Sequence, residues 1–140
     1  MGKCYILVGN EETWGCALEN KLWAFREKNK GLWNTTNKND NLAFYMTSPV
    51  SKIFGFGKIL DKFVDYQTLW PDEKLFNTSI YPYRARLETV YAIDNWNNGI
   101  RVPRTMMLNT GRKLIDDNIF DKLIIEAEKW NKTLRNELNK

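Results

Sequence analysis

Three of the six tryptophans stand where they could bind a flat ligand. Trp23, Trp33 and Trp70 fall in polar or proline-adjacent segments, where no apolar periodicity calls for a core residue. An indole outside a core can offer its flat face to another flat group, and in a basic protein a nucleobase is such a group. The sequence therefore predicts either a base-binding pocket or an aromatic cover over a small core, and both interpretations stay open.

The chain contains no histidine, which restricts the other chemistry. Histidine is the usual general base near neutral pH and the commonest zinc ligand, so most acid–base, triad and metal mechanisms lose their main group. There is no Walker loop, and no Gly-x-Gly-x-x-Gly follows the first predicted strand. The acid pairs Asp72-Glu73 and Asp116-Asp117 are typical of helix starts and solvated faces. We therefore expect a binding module without a cofactor rather than an enzyme.

Composition indicates one domain over residues 1–140. Lysine and arginine outnumber the acids by 21 to 17, which gives a net charge of +4. That charge permits binding to a polyanion without requiring it. Cys4 and Cys16 have neither CxxC spacing nor a partner histidine, so we expect reduced thiols in a cytoplasmic protein. No apolar run reaches the roughly 18 residues of a membrane span, so no membrane partner is expected.

The elements that would position these residues begin with a strand and a helix. Lys3–Gly9 is a short apolar run rich in β-forming residues and predicts a buried strand. Asn10 precedes two glutamates, which is typical of a helix N-cap, and the helix should run to about Glu19. Residues 21–25 predict a brief extended piece. The polar residues 26–41, which include Trp33, predict a loop or a short irregular helix.

The central part of the chain predicts a sheet. Leu42–Ser48 and Lys52–Val64 are strand candidates joined by a Ser-Pro-Val-Ser turn, which favours a hairpin. Within the second, Gly55 and Gly57 flatten one side of the strand. Ile80–Ala92 predicts the next long strand, with a proline near its start.

Over the whole chain, predicted strands outnumber predicted helices. Residues 94–102 are turn-rich, and residues 104–108 predict a strand or a helical turn. From Asp116 or Asn118 to about Leu138, apolar residues recur at three- and four-residue steps, which predicts one long amphipathic C-terminal helix. The fold class is therefore α+β, with a curved or closed sheet flanked by helices.

Several segments in this order resemble the EVE family of PUA-like domains over nearly the whole chain. They are Lys-Leu-Trp-Ala at 21–24, Tyr-Met-Thr-Ser at 45–48, Ile-Phe-Gly-Phe-Gly-Lys-Ile at 53–59 and Ile-Tyr-Pro-Tyr-Arg at 80–84. The segments 22–24 and 54–57 are also similar to motifs of the related YTH family, which reads methylated adenine in RNA. The resemblance implies a PUA-like twisted β-barrel of about five to six strands with helices around it. It also implies a pocket that takes one flipped nucleobase.

The resemblance ranks the tryptophans as base-binding candidates. Trp23 aligns with the cage tryptophan of the YTH pattern, and its alternative role is a core residue between helix and sheet. Trp70 could close over the opposite side of a base, or it could cover the end of the barrel. Trp33 could stack on an unpaired strand or anchor a long loop.

Polar groups must complete such a site. Tyr45 and Ser48 end a strand at the expected pocket mouth, where they could supply a stacking wall and a hydrogen bond. The Asn10 amide can both donate and accept, which suits the edge of a base, and its alternative role is to cap the helix. The candidates for phosphate contact are Lys52, Lys58, Arg84, Arg86, Arg101, Arg104 and Arg112.

Four functions remain open from the sequence. The first is a reader of a modified, methylated base in DNA, as the specificity domain of an Mcr-type restriction system with a nuclease or an AAA+ GTPase or ATPase motor domain as partner. The alternative is an RNA-binding reader of YTH or PUA type that recognises N6-methyladenine or another modified RNA base. A third is an enzyme of the related ASCH group that enlists Lys21, Lys58 or Glu88. The fourth is a peptide-binding domain.

Overall fold

The computed structural model describes residues 2–102 and 111–140, and in them one mixed sheet runs through the molecule. The strands are β1 (Cys4–Gly9), β2 (Leu22–Phe25), β3 (Asn41–Met46), β4 (Lys52–Val64), β5 (Tyr83–Ala92), β6 (Ile100–Arg101) and β7 (Arg112–Ile115). The helices are α1 (Glu11–Asn20), α2 (Lys30–Thr35), α3 (Pro71–Phe76), α4 (Asp117–Ala127) and α5 (Leu134–Leu138). Short 3-10 turns occupy Glu27–Asn29 and Trp96–Asn98.

The strand order in the sheet is β2-β5-β4-β3-β1-β7, and β6 pairs with the start of β4. Neighbouring strands are antiparallel except β1 and β3, which are parallel. Parallel pairing places the carboxyl ends of β1 and β3 side by side, with Gly9 opposite Met46. The α+β class and the hairpin of β3 and β4 are therefore confirmed.

Both faces of the central strands are buried, which explains their nearly continuous apolar sequences. In β3, Phe44 and Met46 belong to a core that also contains Trp14 of α1. Tyr45 points to the opposite face, where a second core lies beneath α4 and α5. Side chains alternate across a strand, so adjacent aromatic residues serve different cores.

Glycine allows close contact between β4, β3 and β5. A β-carbon added at Gly57 would lie 2.3 Å from the backbone oxygen of Glu88 and 2.7 Å from the ring of Phe44. The backbone of β5 and the Phe44 ring therefore occupy the space that a side chain would need. The flattened side predicted in β4 is explained by close packing inside the sheet.

The start of β5 differs from the sequence prediction. The strand begins at Tyr83 instead of Ile80, because the backbone N–H groups of Ile80 and Tyr81 donate to the Glu73 carboxylate at 2.9 and 3.0 Å. These groups are therefore absent from the sheet ladder. Among the described residues, six strands form the continuous path of the sheet, within the five to six expected, and the two-residue β6 pairs with β4 beside that path. The element predicted at residues 104–108 lies outside the described residues.

The predicted single C-terminal helix is divided into two. Helix α4 ends at Ala127 and α5 begins at Leu134. Between them, the Asn131 side-chain oxygen accepts hydrogen bonds from the backbone N–H and the hydroxyl of Thr133, at 3.1 and 3.0 Å. Asparagine side chains compete with helical backbone bonding in this way. Leu134 and Leu138 still pack in the second core, so the apolar spacing indicated burial correctly but not helix continuity.

Candidate functional site

A cavity of about 400 Å³ lies where the end of β1, the strand β2 and the start of α3 meet. Ligand sites for small molecules span roughly 300–1,000 Å³, so the cavity suits a ligand at the small end of that range. The lining residues that bear on its chemistry are Asn10, Trp23, Arg26, Trp70, Asp72 and Tyr81. The structure therefore brings together three residues predicted to bind a base, Asn10, Trp23 and Trp70.

Trp23 both packs in the core and lines the cavity. It lies on β2 opposite Ala85 and is only 4% exposed. Its ring packs against Trp14 with centroids 4.6 Å apart. The Trp14 indole is itself fixed, because its N–H donates to the backbone oxygen of Tyr45 at 2.8 Å. The two interpretations of Trp23 are therefore compatible, since the core that packs behind the ring also holds it rigidly.

Trp70 contributes to the cavity from the start of α3. It is 4% exposed and precedes Pro71, which occupies the first turn of the helix, a position that proline favours. Its ring meets Tyr81 edge-on, with centroids 6.1 Å apart and planes at 74°. Trp70 thus directly precedes a short helix whose first residues line the cavity.

Glu73 holds the two segments that carry Trp70 and Tyr81. Its carboxylate is fully buried, with Oε1 accepting from the backbone N–H groups of Leu69 and Trp70, both at 3.0 Å. Oε2 accepts from the N–H groups of Ile80 and Tyr81. Burial alone would raise the pKa of Glu73, but these four hydrogen bonds lower it below its usual value. The charged carboxylate is thus the point at which this part of the cavity wall is fixed.

Arg84 supplies the positive charge that the buried carboxylate requires. Its guanidinium lies 3.3 Å from both Glu73 and Asp65, and its Nε donates to the backbone oxygen of Tyr81 at 3.1 Å. The side chain is 2% exposed. Arg84 was expected to contact phosphate, but it is enclosed and fully engaged in a structural ion pair. Arg84 lies on the face of β5 that the segment around Glu73 covers.

Asn10 retains a hydrogen-bond donor after capping α1. Its side-chain oxygen accepts from the N–H of Thr13 at 2.8 Å, as predicted for an N-cap. The amide nitrogen has no partner within residues 2–102 and 111–140, and Asn10 lines the cavity. The capping and base-contacting interpretations therefore use different atoms of the same amide.

Arg26, Asp72 and Tyr81 form a polar group at the cavity that the sequence did not predict. The Tyr81 hydroxyl donates to Asp72 at 2.6 Å and accepts from the Arg26 guanidinium at 3.4 Å. Burial and the bond to Asp72 both raise the pKa of Tyr81, so the phenol stays protonated at neutral pH. Arg26 directly follows β2, the strand that carries Trp23, and that adjacency was the signal available in the sequence. Lys28 adds a second exposed cation to the lining.

Three other predicted base-binding residues lie outside the cavity lining. Tyr45 is buried on the opposite face of the sheet. Ser48 is exposed in the turn after β3. Trp33 donates from its indole to the backbone oxygen of Arg84 at 2.9 Å and packs on Tyr83, with ring centroids 5.2 Å apart. Trp33 thus anchors α2 to β5, which was its alternative interpretation.

The remaining phosphate candidates also lie outside this lining. Lys52 donates to the backbone oxygen of Asn97, and Lys58 is buried with its ammonium 3.1 Å from the backbone oxygen of Lys140. Arg86 is exposed but pairs with Asp61 at 3.1 Å.

Two arginines complete the set of candidates that the structure describes. Arg112 donates to the oxygens of Leu32 and Thr36 at 2.8 and 2.7 Å and lies 4.2 Å above the Tyr5 ring. Arg101 is exposed on β6. Arg104 lies outside the described residues. The cations next to the cavity are instead Arg26 and Lys28.

Both cavity tryptophans carry a buried N–H group without an acceptor among the described residues. Buried donors are nearly always paired, so each such group calls for an explanation. Both indole nitrogens are inaccessible to solvent, so neither N–H group is presented to a ligand in the open cavity. In the same part of the chain, no cluster of three histidine, cysteine or acidic side chains is arranged to hold a metal ion. No helix there is both long and apolar enough to cross a membrane.

Comparison with solved structures assigns the fold. The ASCH protein from Zymomonas mobilis superposes with a TM-score of 0.62 at 14% identity, over 88% of this chain and 94% of that one. The Pho92 YTH domain in complex with m6A gives 0.58 at 14% identity, over 89% and 82%. The Mmi1 YTH domain in a complex with RNA gives 0.57 at 11% identity, over 91% and 85%.

These likenesses confirm the predicted PUA-like α+β fold, which YTH and ASCH domains share. The sequence matches no protein-family model and no curated protein. The fold relationship therefore extends to the PUA-like group and does not single out the EVE family within it.

Proposed function

We propose that this chain binds nucleic acid by taking one modified base into the cavity between Trp23 and Trp70. The observation that carries the proposal is the cavity itself, because two tryptophans far apart in sequence line one space of suitable size. Aromatic faces bind bases through stacking, and each stacked base contributes about 1–3 kcal/mol. A methyl group would add only about 0.8 kcal/mol by burial, so a tightly fitting cavity must contribute to discrimination.

The polar residues have separate roles in this proposal. The Asn10 amide donates to an acceptor on the edge of the base, since its oxygen is occupied by the helix cap. Arg26 and Lys28 contact the flanking phosphates, because they are the exposed cations of the lining. Phosphate contacts position the strand, and contacts to the base select it.

We further propose RNA that carries N6-methyladenine as the leading ligand. Support comes from the similar YTH domains, one solved with m6A and one with RNA. A DNA ligand, with a nuclease or AAA+ motor as partner, was the first expectation from the sequence. It still rests on the EVE resemblance alone. Both nucleic acids therefore need to be compared directly.

We propose a binding module rather than an enzyme. Of the catalytic groups considered, Lys21, Lys58 and Glu88 do not line the cavity. Release of product from N4-acylated cytidine would instead establish the ASCH-type activity. A peptide-binding role would gain support if no nucleic acid bound at low salt, where phosphate contacts are strongest.

The decisive experiment is a binding screen by fluorescence anisotropy. RNA and DNA oligonucleotides of one sequence would each carry no modification, N6-methyladenine or a methylated cytosine. We expect the methylated RNA to bind most tightly. A 2′-hydroxyl contact would appear as a preference for RNA over DNA of the same sequence.

Three leucine variants test the cavity, since leucine keeps apolar bulk and removes the aromatic face. Trp23→Leu and Trp70→Leu should each weaken binding at least about fivefold, the low end of the stacking contribution. Trp33→Leu is the matched control, because Trp33 lies outside the lining, and it should bind like the wild type once its melting curve shows a folded protein. Equal affinity for modified and unmodified oligonucleotides, unchanged in Trp23→Leu, would refute the proposal.

A further inference from the structure

Two large apolar side chains stand exposed side by side on α3. Leu75 is 77% exposed and Phe76 is 67% exposed. Folded proteins often show single exposed apolar residues, whereas a contiguous exposed apolar patch is typical of an interaction site. Their burial would require a partner that the described residues do not provide.

Helix geometry places this pair next to the cavity. Pro71 and Asp72 line the cavity, and Leu75 and Phe76 follow each of them by four residues on the same helix. Residues four apart lie on one face, with β-carbons about 5–6 Å apart. One further nucleotide linkage spans such a distance. The apolar pair is therefore positioned for the part of a ligand that extends beyond the cavity.

An exposed cation adjoins the apolar pair on α3 and can contact an anionic group. Glu73 is buried and neutralised by Arg84, and Asp72 accepts the hydroxyl of Tyr81. Lys74 is exposed between these acids and the apolar pair. An exposed ring and aliphatic group beside an exposed cation combine the contacts that bind the base and phosphate of an unpaired strand.

We propose that Leu75 and Phe76 hold the base next to the one bound in the cavity, with Lys74 on its phosphate. This inference rests on the proposed function and adds a second base-binding position to it. Phe76 supplies a face for stacking, and Leu75 packs against the edge of the same base. Apolar side chains of these types contact base faces in other modes of nucleic-acid recognition. The site thus reads a short stretch of strand rather than an isolated nucleoside.

The test combines protein variants with altered ligands. The ligands are the modified nucleoside, a five-nucleotide RNA with that base at its centre, and the same RNA with abasic residues on both sides of the centre. The proteins are the wild type, Phe76→Ala, Leu75→Ala and Trp23→Leu. Ile125→Ala on α4 is the control, because Ile125 is also well exposed, at 57%, and lies outside the cavity lining.

We expect Phe76→Ala to weaken binding of the full RNA about tenfold and to leave nucleoside and abasic RNA binding unchanged. Leu75→Ala should have a smaller effect in the same pattern, and Ile125→Ala none. An equal loss with abasic RNA, or wild-type binding by Phe76→Ala, would overturn the inference. If the inference is overturned but Trp23→Leu loses nucleoside binding, the proposed function stands without the second base-binding position. If Trp23→Leu binds the nucleoside like the wild type, the proposed function itself fails.

Discussion

Replacing Glu73 with glutamine should destabilise the protein strongly, although the two side chains have the same size. In Glu73→Gln, the single side-chain oxygen still accepts from one pair of backbone N–H groups. The new NH₂ group faces the other pair of donors, which lose their acceptor. Arg84 also loses its fully buried counter-charge, while the half-buried Asp65 remains as its other acidic partner.

The expected magnitude follows from these contacts. Hydrogen bonds to a charged group contribute about 1.5–3 kcal/mol each, and removing one partner of a buried ion pair costs about 3–5 kcal/mol. The contributions overlap in one network, so we expect a loss of about 3–5 kcal/mol in the free energy of unfolding rather than their sum. That is a large part of the roughly 5–15 kcal/mol available to a domain.

Urea unfolding at neutral pH measures this change, and the control is Glu126→Gln. Glu126 is exposed and pairs with Lys129 at 3.7 Å, so its replacement should change stability by less than about 0.5 kcal/mol. Because Glu73 fixes Trp70 and Tyr81, Glu73→Gln should also weaken ligand binding under conditions in which it remains folded.

The pH dependence of stability provides an independent check. The pKa of Glu73 is lower in the folded protein than its usual value of 4.5. Its charge therefore stabilises the fold above that pH, and the stabilisation is lost as the pH falls through the lower, folded-state pKa. Wild-type stability should fall in this acid range more steeply than that of Glu73→Gln. A variant within about 1 kcal/mol of the wild type, with the same acid slope, would contradict the role given to the buried carboxylate.

Three further changes separate packing from binding. Gly57→Ala should lower the free energy of unfolding, measured in urea, by more than about 2 kcal/mol, because its β-carbon would lie 2.3 Å from a backbone oxygen of β5. Gly15→Ala is the control: open space surrounds Gly15 in α1, so the free energy of unfolding should rise by up to about 1 kcal/mol. Asn10→Asp should keep the helix cap and the melting temperature but weaken ligand binding. Asn10→Ala should weaken binding and also lose about 1 kcal/mol of stability. If Asn10→Asp binds the ligand as tightly as the wild type, the amide is not the donor. Arg26→Ala should weaken binding and reduce the slope of log affinity against log salt concentration by about one. Arg86→Ala should leave the affinity and the slope nearly unchanged. The reverse result would show that the phosphate contacts lie outside the cavity.

Local sequence patterns predicted most of the secondary structure. The first strand, the Asn10 cap and the β3–β4 hairpin are confirmed because each depends on neighbouring residues. The C-terminal region shows the limit of such patterns. The apolar spacing predicted burial of Leu134 and Leu138, but the side-chain bonds of Asn131 interrupt the helix between them and α4.

The candidate site was predicted in part. Trp23, Trp70 and Asn10 do line one cavity, whereas Trp33 and the predicted arginines that the structure describes do not. The acid pair at 72–73 was interpreted as a helix start or a solvated face, and only the first is correct for Glu73, which lies in the first turn of α3 and is buried. The Glu73 side chain turns inward and accepts from the backbone N–H of Trp70. A glutamate at the third position of a helix is a capping signal, and this signal was available in the sequence.

By itself, the sequence determined which residues had the chemistry for a base site and which short elements carry them. Tertiary structure decided which of those residues meet. Arg84 and Arg86 occupy equivalent alternate positions of β5, but the segment anchored by Glu73 covers only the first. Likewise, Trp23 and Trp33 differ in role because β2 places one beside the Trp70 segment and α2 packs the other on β5. These outcomes depend on contacts between distant parts of the chain, and a local pattern contains no information about the charge or ring that it will face after folding.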